Sequence, residues 1–322
     1  MSNRLLTTSH GTNREAFTSM DWTMFTSLSL IWGASFLFMA IGLDHFHPGL
    51  VTWLRVGFGA AVMAAVPKAR RTAIPRQDTI RLGALGLIWI AVPLTLFPIA
   101  QQWIDSAVAG MLNGAMPLFT AIIASVLLRH LPGRLQMVGL LVGFAGIVSI
   151  ALPSAETGAT GAIGVILVLV ATICYGFATN IVAPLQQRYG SLAVMSRVLW
   201  TAFALVTPYG IYGLTRSSFA WDSLLAVAAV GLLGTGLAFV VMGTLVGSVG
   251  PTRASFITYL IPVVALLLGV IFRDEVISPV AIVGSILVIV GALLASRREV
   301  PTTSIHPRPP AAPMTDPAEA PR

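Results

Sequence analysis

The chain has 322 residues, of which 56% are hydrophobic and only 10% charged, with a formal charge of +7 and a single cysteine. A soluble domain carries roughly 25% charged residues, so a chain with so few cannot cover its surface with them, and lipid must solvate most of it. The basic residues stand in short stretches between apolar runs and form no basic face, which excludes nucleic acid as a partner, and the lone Cys174 excludes an intramolecular disulfide or a cysteine-rich metal site.

Residues 1–21 read as a polar, disordered lead without the pattern of a secretory signal. Ten apolar runs follow, at about 22–43, 49–67, 82–100, 105–128, 135–153, 161–183, 193–214, 221–245, 253–272 and 278–295. Each is near the ~20 residues that cross a bilayer as a helix. The proline-rich tail, 296–322, cannot pack and is expected to be disordered. With ten spans, Arg4, Arg14, Lys68, Arg70, Arg71, Arg76, Arg81, Arg129, Arg134, Arg188, Arg253, Arg297 and Arg298 share one side, against Arg216 and Arg273 on the other. The positive-inside rule then makes both termini cytoplasmic in a multi-pass plasma (inner) membrane protein.

The stretch from Asp105 to Gly146 recurs 145 residues later: Pro117 falls on Pro262, Gly139 on Gly284, Gly146 on Gly291 and Ala109 on Ala254. Arg55 and Arg197, 142 apart, add a further echo. The expected fold is all-α and integral to the membrane, with two five-helix repeats at 22–153 and 161–295. Five is odd, so the second repeat is inverted, and a substrate site is expected between the halves near the midplane.

Arg55 is the foremost candidate for that site. It stands nearly two turns into the second span, roughly 10 Å from its end at 1.5 Å per residue. A cation at that depth either faces a cavity, where it attracts a carboxylate, or snorkels to the interface. Trp32, midway along the first span, suits a cavity wall, since an indole offers an apolar face and one N–H donor. Pro117 and Pro262 are expected to kink the fourth and ninth spans and to free backbone carbonyls beside Asn113 and Tyr259. Tyr175 and Asn180 on the sixth span are further polar candidates. Each of these four either lines a polar site or is satisfied between helices. The glycines at 139, 143, 146, 284 and 291 suit close helix packing. Glu275 and Asp105 are expected to cap or pair locally, and Arg197 to snorkel. No His/Cys/Glu cluster has metal-ligand spacing, no phosphate-binding loop is present, and no cofactor is implied.

Several pieces together resemble a known family. These are Ile31-Trp32-Gly33-Ala34-Ser35-Phe36, Leu54-Arg55, Met116-Pro117-Leu118-Phe119, and Gly250-Pro251-Thr252-Arg253-Ala254-Ser255 running on through Tyr259 and Pro262 to Glu275 and Gly284. In this order and spacing the chain resembles an EamA-type member of the drug/metabolite transporter superfamily, with two EamA repeats. It departs from the family where Arg129-His130 replaces an acidic residue after the fourth span; Glu275 keeps that acid in the second copy. The resemblance implies a secondary transporter that exports a small metabolite, such as an amino acid or similar solute, by alternating access. A membrane-embedded enzyme acting on lipids and a non-transporting scaffold are the alternatives. The first would need a nucleophile or base pair within the membrane, which the apolar runs do not supply.

Overall fold

The computed structural model describes residues 17–296 apart from 68, 70, 71, 130, 157 and 250. The expected disordered lead up to residue 16, the tail from residue 297, and the side chains of Lys68, Arg70, Arg71 and His130 lie outside those residues. Within them the chain forms helices and no strands. Hydrocarbon offers nothing to bond a backbone N–H or C=O, so each apolar run satisfies its own in a helix. The ten helices are α1 (Ser19–Leu43), α2 (Pro48–Ala65), α3 (Arg76–Ala100), α4 (Ser106–Leu128), α5 (Arg134–Glu156), α6 (Ala159–Tyr189), α7 (Ser191–Leu214), α8 (Trp221–Val249), α9 (Ile257–Arg273) and α10 (Pro279–Ser296).

Local chemistry sets the ends. Residues Ser19 to Asp21 belong to α1 rather than to the lead, because Thr18 and Asp21 form a capping box: the Asp21 N–H donates to Thr18 Oγ1 (3.2 Å) and the Thr18 N–H to Asp21 Oδ2 (2.9 Å). α2 begins on Pro48, whose missing N–H costs nothing in a first turn. α4 and α9 end on residues in left-handed conformation, Arg129 (φ 51°) and Asp274 (φ 52°), which are 145 residues apart.

Nine helices have at least 18 residues and the hydropathy of a membrane span; α9, with 17, is shorter than its apolar run. The run is divided, with one turn at Pro251–Ala254 before α9 starts at Ile257. Here the backbone tightens into i→i+3 bonds: Phe256 N–H to Arg253 O (3.2 Å), Thr258 to Ser255 (3.1 Å) and Tyr259 to Phe256 (3.1 Å). α4 tightens at the related place, with Gly114 N–H bonded to Met111 O (3.1 Å) and Ala115 to Leu112 O (3.0 Å). Pro117 lies in the first turn of helix after the tightened stretch of α4, and Pro262 lies inside α9.

A second repeat-related irregularity is not legible in the sequence. α3 widens into a π-helical segment at Gly86–Ala91, and α8 does so at Val230–Leu237. Gly86 and Gly231 are 145 residues apart. The α8 segment packs on α2, where a Cβ at Gly231 would lie 2.7 Å from Phe58 Cβ and 2.9 Å from Arg55 O. The α3 segment packs on α7, the repeat counterpart of α2, where a Cβ at Gly86 would lie 2.9 Å from Thr201 Cβ.

Repeat-related helices pack on each other: α2 on α7, α4 on α9 and α5 on α10. α5 and α10 touch through the repeated glycines. A Cβ at Gly146 would stand 2.6 Å from Gly284 O, and one at Gly139 2.6 Å from Gly291 O. Small residues there let the backbones meet, while Leu141, Val148, Val283 and Ile286 on the same two helices are more than half exposed, as a lipid-facing surface requires.

Candidate functional site

Seven residues into α2, Arg55 is only 7% exposed. Its Nε donates to Thr235 Oγ1 on α8 (3.1 Å), and one terminal nitrogen donates to Met39 Sδ on α1 (3.0 Å). A thioether is a weak acceptor. Among the described residues no carboxylate forms an ion pair with Arg55. The Tyr175 phenol on α6 is close enough to interact with it electrostatically. A permanently charged planar fork on α2 is thus held by α1 and α8 through neutral partners only. Such a group binds a carboxylate through two parallel N–H bonds.

Trp32 meets the same stretch of α8. Its Nε1 donates to Gly234 O (2.9 Å), one residue before the Thr235 that holds Arg55. Its ring meets Phe239 edge-on with centroids 6.0 Å apart, and Trp89 of α3 meets Phe239 from another direction at 5.8 Å. Tyr175 stacks on Phe97 at 6.0 Å, and Phe97 meets Phe36 at 5.5 Å. Arg55, Trp32 and Tyr175 therefore gather at one place, a cation and two amphipathic rings within an aromatic wall.

The other candidates stand elsewhere. Asn113 is 7% exposed on α4, next to Gly114, whose Cα faces Pro262 of α9, and its Oδ1 is buried without a hydrogen-bond partner among the described residues. Gln101 Oε1 is in the same condition, although Gln101 Nε2 donates to Phe36 O (3.2 Å). Asn180 spends its amide on helix contacts, donating to Thr120 O of α4 (3.1 Å) and Gly176 O (2.8 Å). Tyr259 does not join Arg55: its hydroxyl donates to Ala292 O (3.3 Å) and meets Ser296 Oγ (3.2 Å), both on α10. The tightened turn before α9 directs that ring toward α10. Arg197 does not line this site; it donates to Ala69 O (3.3 Å) and Thr72 O (2.6 Å) of the α2–α3 connection and to Ala193 O (3.2 Å). Thr235, the Gly234 carbonyl and Met39 are the partners that sequence reasoning missed. The run Gly231, Gly234, Gly236 marks an unusual stretch, but the bond register that aims Thr235 is not written in it.

Ties between the halves lie on both faces of the bundle. At the face where α1 ends, Arg273 grips Asp44 through two bonds (2.6 and 3.0 Å). Beside it Glu275 caps α4: its carboxylate accepts from the Ser106 N–H (2.9 Å), the Ser106 hydroxyl (2.6 Å) and the Ala107 N–H (2.9 Å). Local capping was expected of Glu275, and the helix it caps belongs to the other half. Asp105, the N-cap residue itself, makes no such bond; burial, and then the charge of Glu275, push its carboxyl above the usual range. At the face where α1 begins, Asp78 accepts from Tyr189 Oη (2.6 Å) and Arg81 (2.9 Å), and Asp21 from Ser248 Oγ (2.6 Å). A cleft of about 310 Å³ opens at this face between the α6–α7 corner and α8, lined by Tyr189, Ser191, Val240 and Thr244. Arg55 is not part of it.

Ten apolar helices in two inverted repeats, with a buried cation between them, define a multi-pass membrane carrier. Comparison with known proteins gives the particular family. The EamA-like transporter family matches residues 22–152 and again 162–297, and the chain belongs to that family. It is 26% identical over 272 residues to a protein of Streptantibioticus cattleyicolor named "Probable terminal-alkyne amino-acid exporter", covering 83% of this chain and 90% of the relative. It is 26% identical over 257 residues to an inner membrane transporter of Escherichia coli strain K12, YedA, covering 79% and 83%. It is 23% identical over 276 residues to a protein of Salmonella typhimurium strain LT2 named "Probable amino-acid metabolite efflux pump", covering 81% and 90%. A solved crystal structure shares the fold at a TM-score of 0.57 with 21% identity, over 87% of this chain and 99% of its own. The chain is thus a transporter of a small molecule and not an enzyme, which sets the lipid-enzyme reading aside.

Proposed function

We propose that this protein exports a small carboxylate-bearing metabolite, an amino acid or similar solute, across the plasma (inner) membrane by alternating access of its two inverted halves. The observation that carries this reading is Arg55, a buried guanidinium with no anionic partner among the described residues. Leaving a buried charge unpaired costs several kcal/mol, as an order of magnitude, and a substrate carboxylate removes that cost. Trp32 and Tyr175 form the wall against which the rest of the substrate lies. Asn180 and Tyr259 tie neighbouring helices elsewhere in the bundle. Two relatives named as amino-acid exporters support the substrate class and the direction. The excess of basic residues at the face where α1 begins makes that face cytoplasmic, and the partners are a small solute and lipid, with no nucleic acid.

The test is flux in proteoliposomes with a panel of labelled amino acids and their uncharged amides. Wild type is expected to move at least one acid and not its amide. Arg55→Ala abolishes that flux, and Arg55→Lys lowers it, since an ammonium keeps the charge and loses the planar fork. Full flux in both variants refutes the role given to Arg55. A reporter fused to the C-terminal tail must read cytoplasm for the orientation to stand.

A further inference from the structure

Thr235 makes a hydrogen bond that an ordinary helical threonine does not. Thr52, Thr172 and Thr201 each donate to the carbonyl four residues back, at Pro48, Val168 and Arg197. In the π-helical segment Thr235 donates instead to Val230 O, five residues back (3.2 Å). With its proton committed along α8, its oxygen is left to accept from Arg55 Nε (3.1 Å). Thr235 is 1% exposed, so no water competes for that oxygen.

The other half supplies the contrast. The residue 145 positions before Thr235 is Ile90, in the π-helical segment of α3, which has no hydroxyl to offer. Arg197 lies near the related place on α7, 142 rather than 145 residues after Arg55, and it bonds carbonyls of the α2–α3 connection rather than α3. The α3 segment therefore has no hydroxyl at this position with which to hold an arginine, whereas the α8 segment does.

We propose that Thr235 is a positioning residue for substrate recognition, which occupies Nε and leaves the end of the guanidinium as the edge that receives the carboxylate, the one terminal nitrogen that meets the weak acceptor Met39 Sδ exchanging it for a carboxylate oxygen. A guanidinium can take a carboxylate side-on, through Nε and one terminal nitrogen, or end-on, through both terminal nitrogens. Thr235 blocks the first mode. The Trp32 bond to the neighbouring Gly234 carbonyl sets the wall against the same turn of α8. This inference rests on the reading that Arg55 binds the anionic group of the substrate.

The experiment uses the full chain in lipid nanodiscs with 15N-labelled arginine, the Arg55 signals being assigned by their loss in Arg55→Lys. Acetate is the probe, and acetamide the uncharged control. In wild type the Arg55 Nε–H exchanges slowly with solvent, and acetate shifts the terminal nitrogens with Nε little changed. Thr235→Val, nearly the same shape, makes Nε–H exchange fast and weakens acetate binding about tenfold, the scale of one hydrogen bond to a charged group. Thr235→Ser restores both. Thr235→Ala, which adds no volume, serves where valine disturbs the α2–α8 packing. Slow Nε–H exchange in the valine and alanine variants overturns the proposal, as does unchanged acetate affinity with Nε–H exposed. Absence of any acetate response in wild type refutes the anion-binding role of Arg55 itself and this proposal with it, while the exchange of Nε–H still reports whether Thr235 holds the side chain.

Discussion

Substituting Glu275 by glutamine tests whether the face where α1 ends is held shut by a carboxylate. Glu275 takes the first two backbone N–H groups of α4, Ser106 and Ala107, together with the Ser106 hydroxyl. Those N–H groups have no partner inside the helix, and they lie at its positive end. Glutamine keeps one oxygen, so the Ser106 bonds survive, but its NH2 then faces the Ala107 N–H, donor against donor. A hydrogen bond to a charged group contributes about 1.5–3 kcal/mol, and a charge at a helix end a further ~0.3–1 kcal/mol. Glu275 is partly solvated, and water recovers part of the loss. A net weakening of about 2 kcal/mol follows, roughly thirtyfold in the ratio of closed to open states. The assay is the distance between spin labels at His45→Cys and Val276→Cys in a Cys174→Ser background. His45 and Val276 are both exposed on this face, one in each half. Glu275→Gln is expected to populate longer distances than wild type, with the bundle still folded. Superimposable distance distributions in the two proteins would refute the idea that this cap closes the face.

Two further outcomes follow from the packing and the charges. Gly146→Leu or Gly291→Leu should lower the melting temperature and the yield of folded protein, because even a Cβ meets backbone atoms of the facing helix there; overpacking costs about 1–3 kcal/mol. Flux per folded molecule should be unchanged, and normal folding with lost flux would place these glycines at the transport site instead. Asp105 has a folded pKa raised by burial and by Glu275, so its stabilising contribution is present at low pH and is lost as pH rises through the folded value. Asp105→Asn should therefore melt above wild type at neutral pH and converge with it below about pH 4, near the ordinary value of an aspartate; a variant that melts lower at neutral pH refutes the assignment.

The sequence by itself determined the solvent, the number of apolar runs and the duplication. Few charges and long apolar stretches leave the backbone no alternative to helices in hydrocarbon, and an odd number of spans per copy inverts the second. Repeated Gly139, Gly146, Gly284 and Gly291 announced close packing of two helices, and α5 and α10 meet through them. Hydropathy is a sum over neighbouring residues, so features of this kind are legible wherever the chain is read.

Which polar groups meet was decided by the tertiary structure. Trp32, Arg55 and Tyr175 come to one place, but Tyr259, a candidate equal to Tyr175 on sequence grounds, bonds to α10. The division of the ninth run follows from tightened backbone bonds that a proline suggests without locating. The π-helical segments of α3 and α8 carry no marker beyond a few glycines, because an i→i+5 register is selected by what packs against it. The bond that orients Arg55 joins residues 180 apart in the chain and needs that register to aim Thr235. Local composition chooses the helix; contacts between distant segments choose which of its atoms are left free to act.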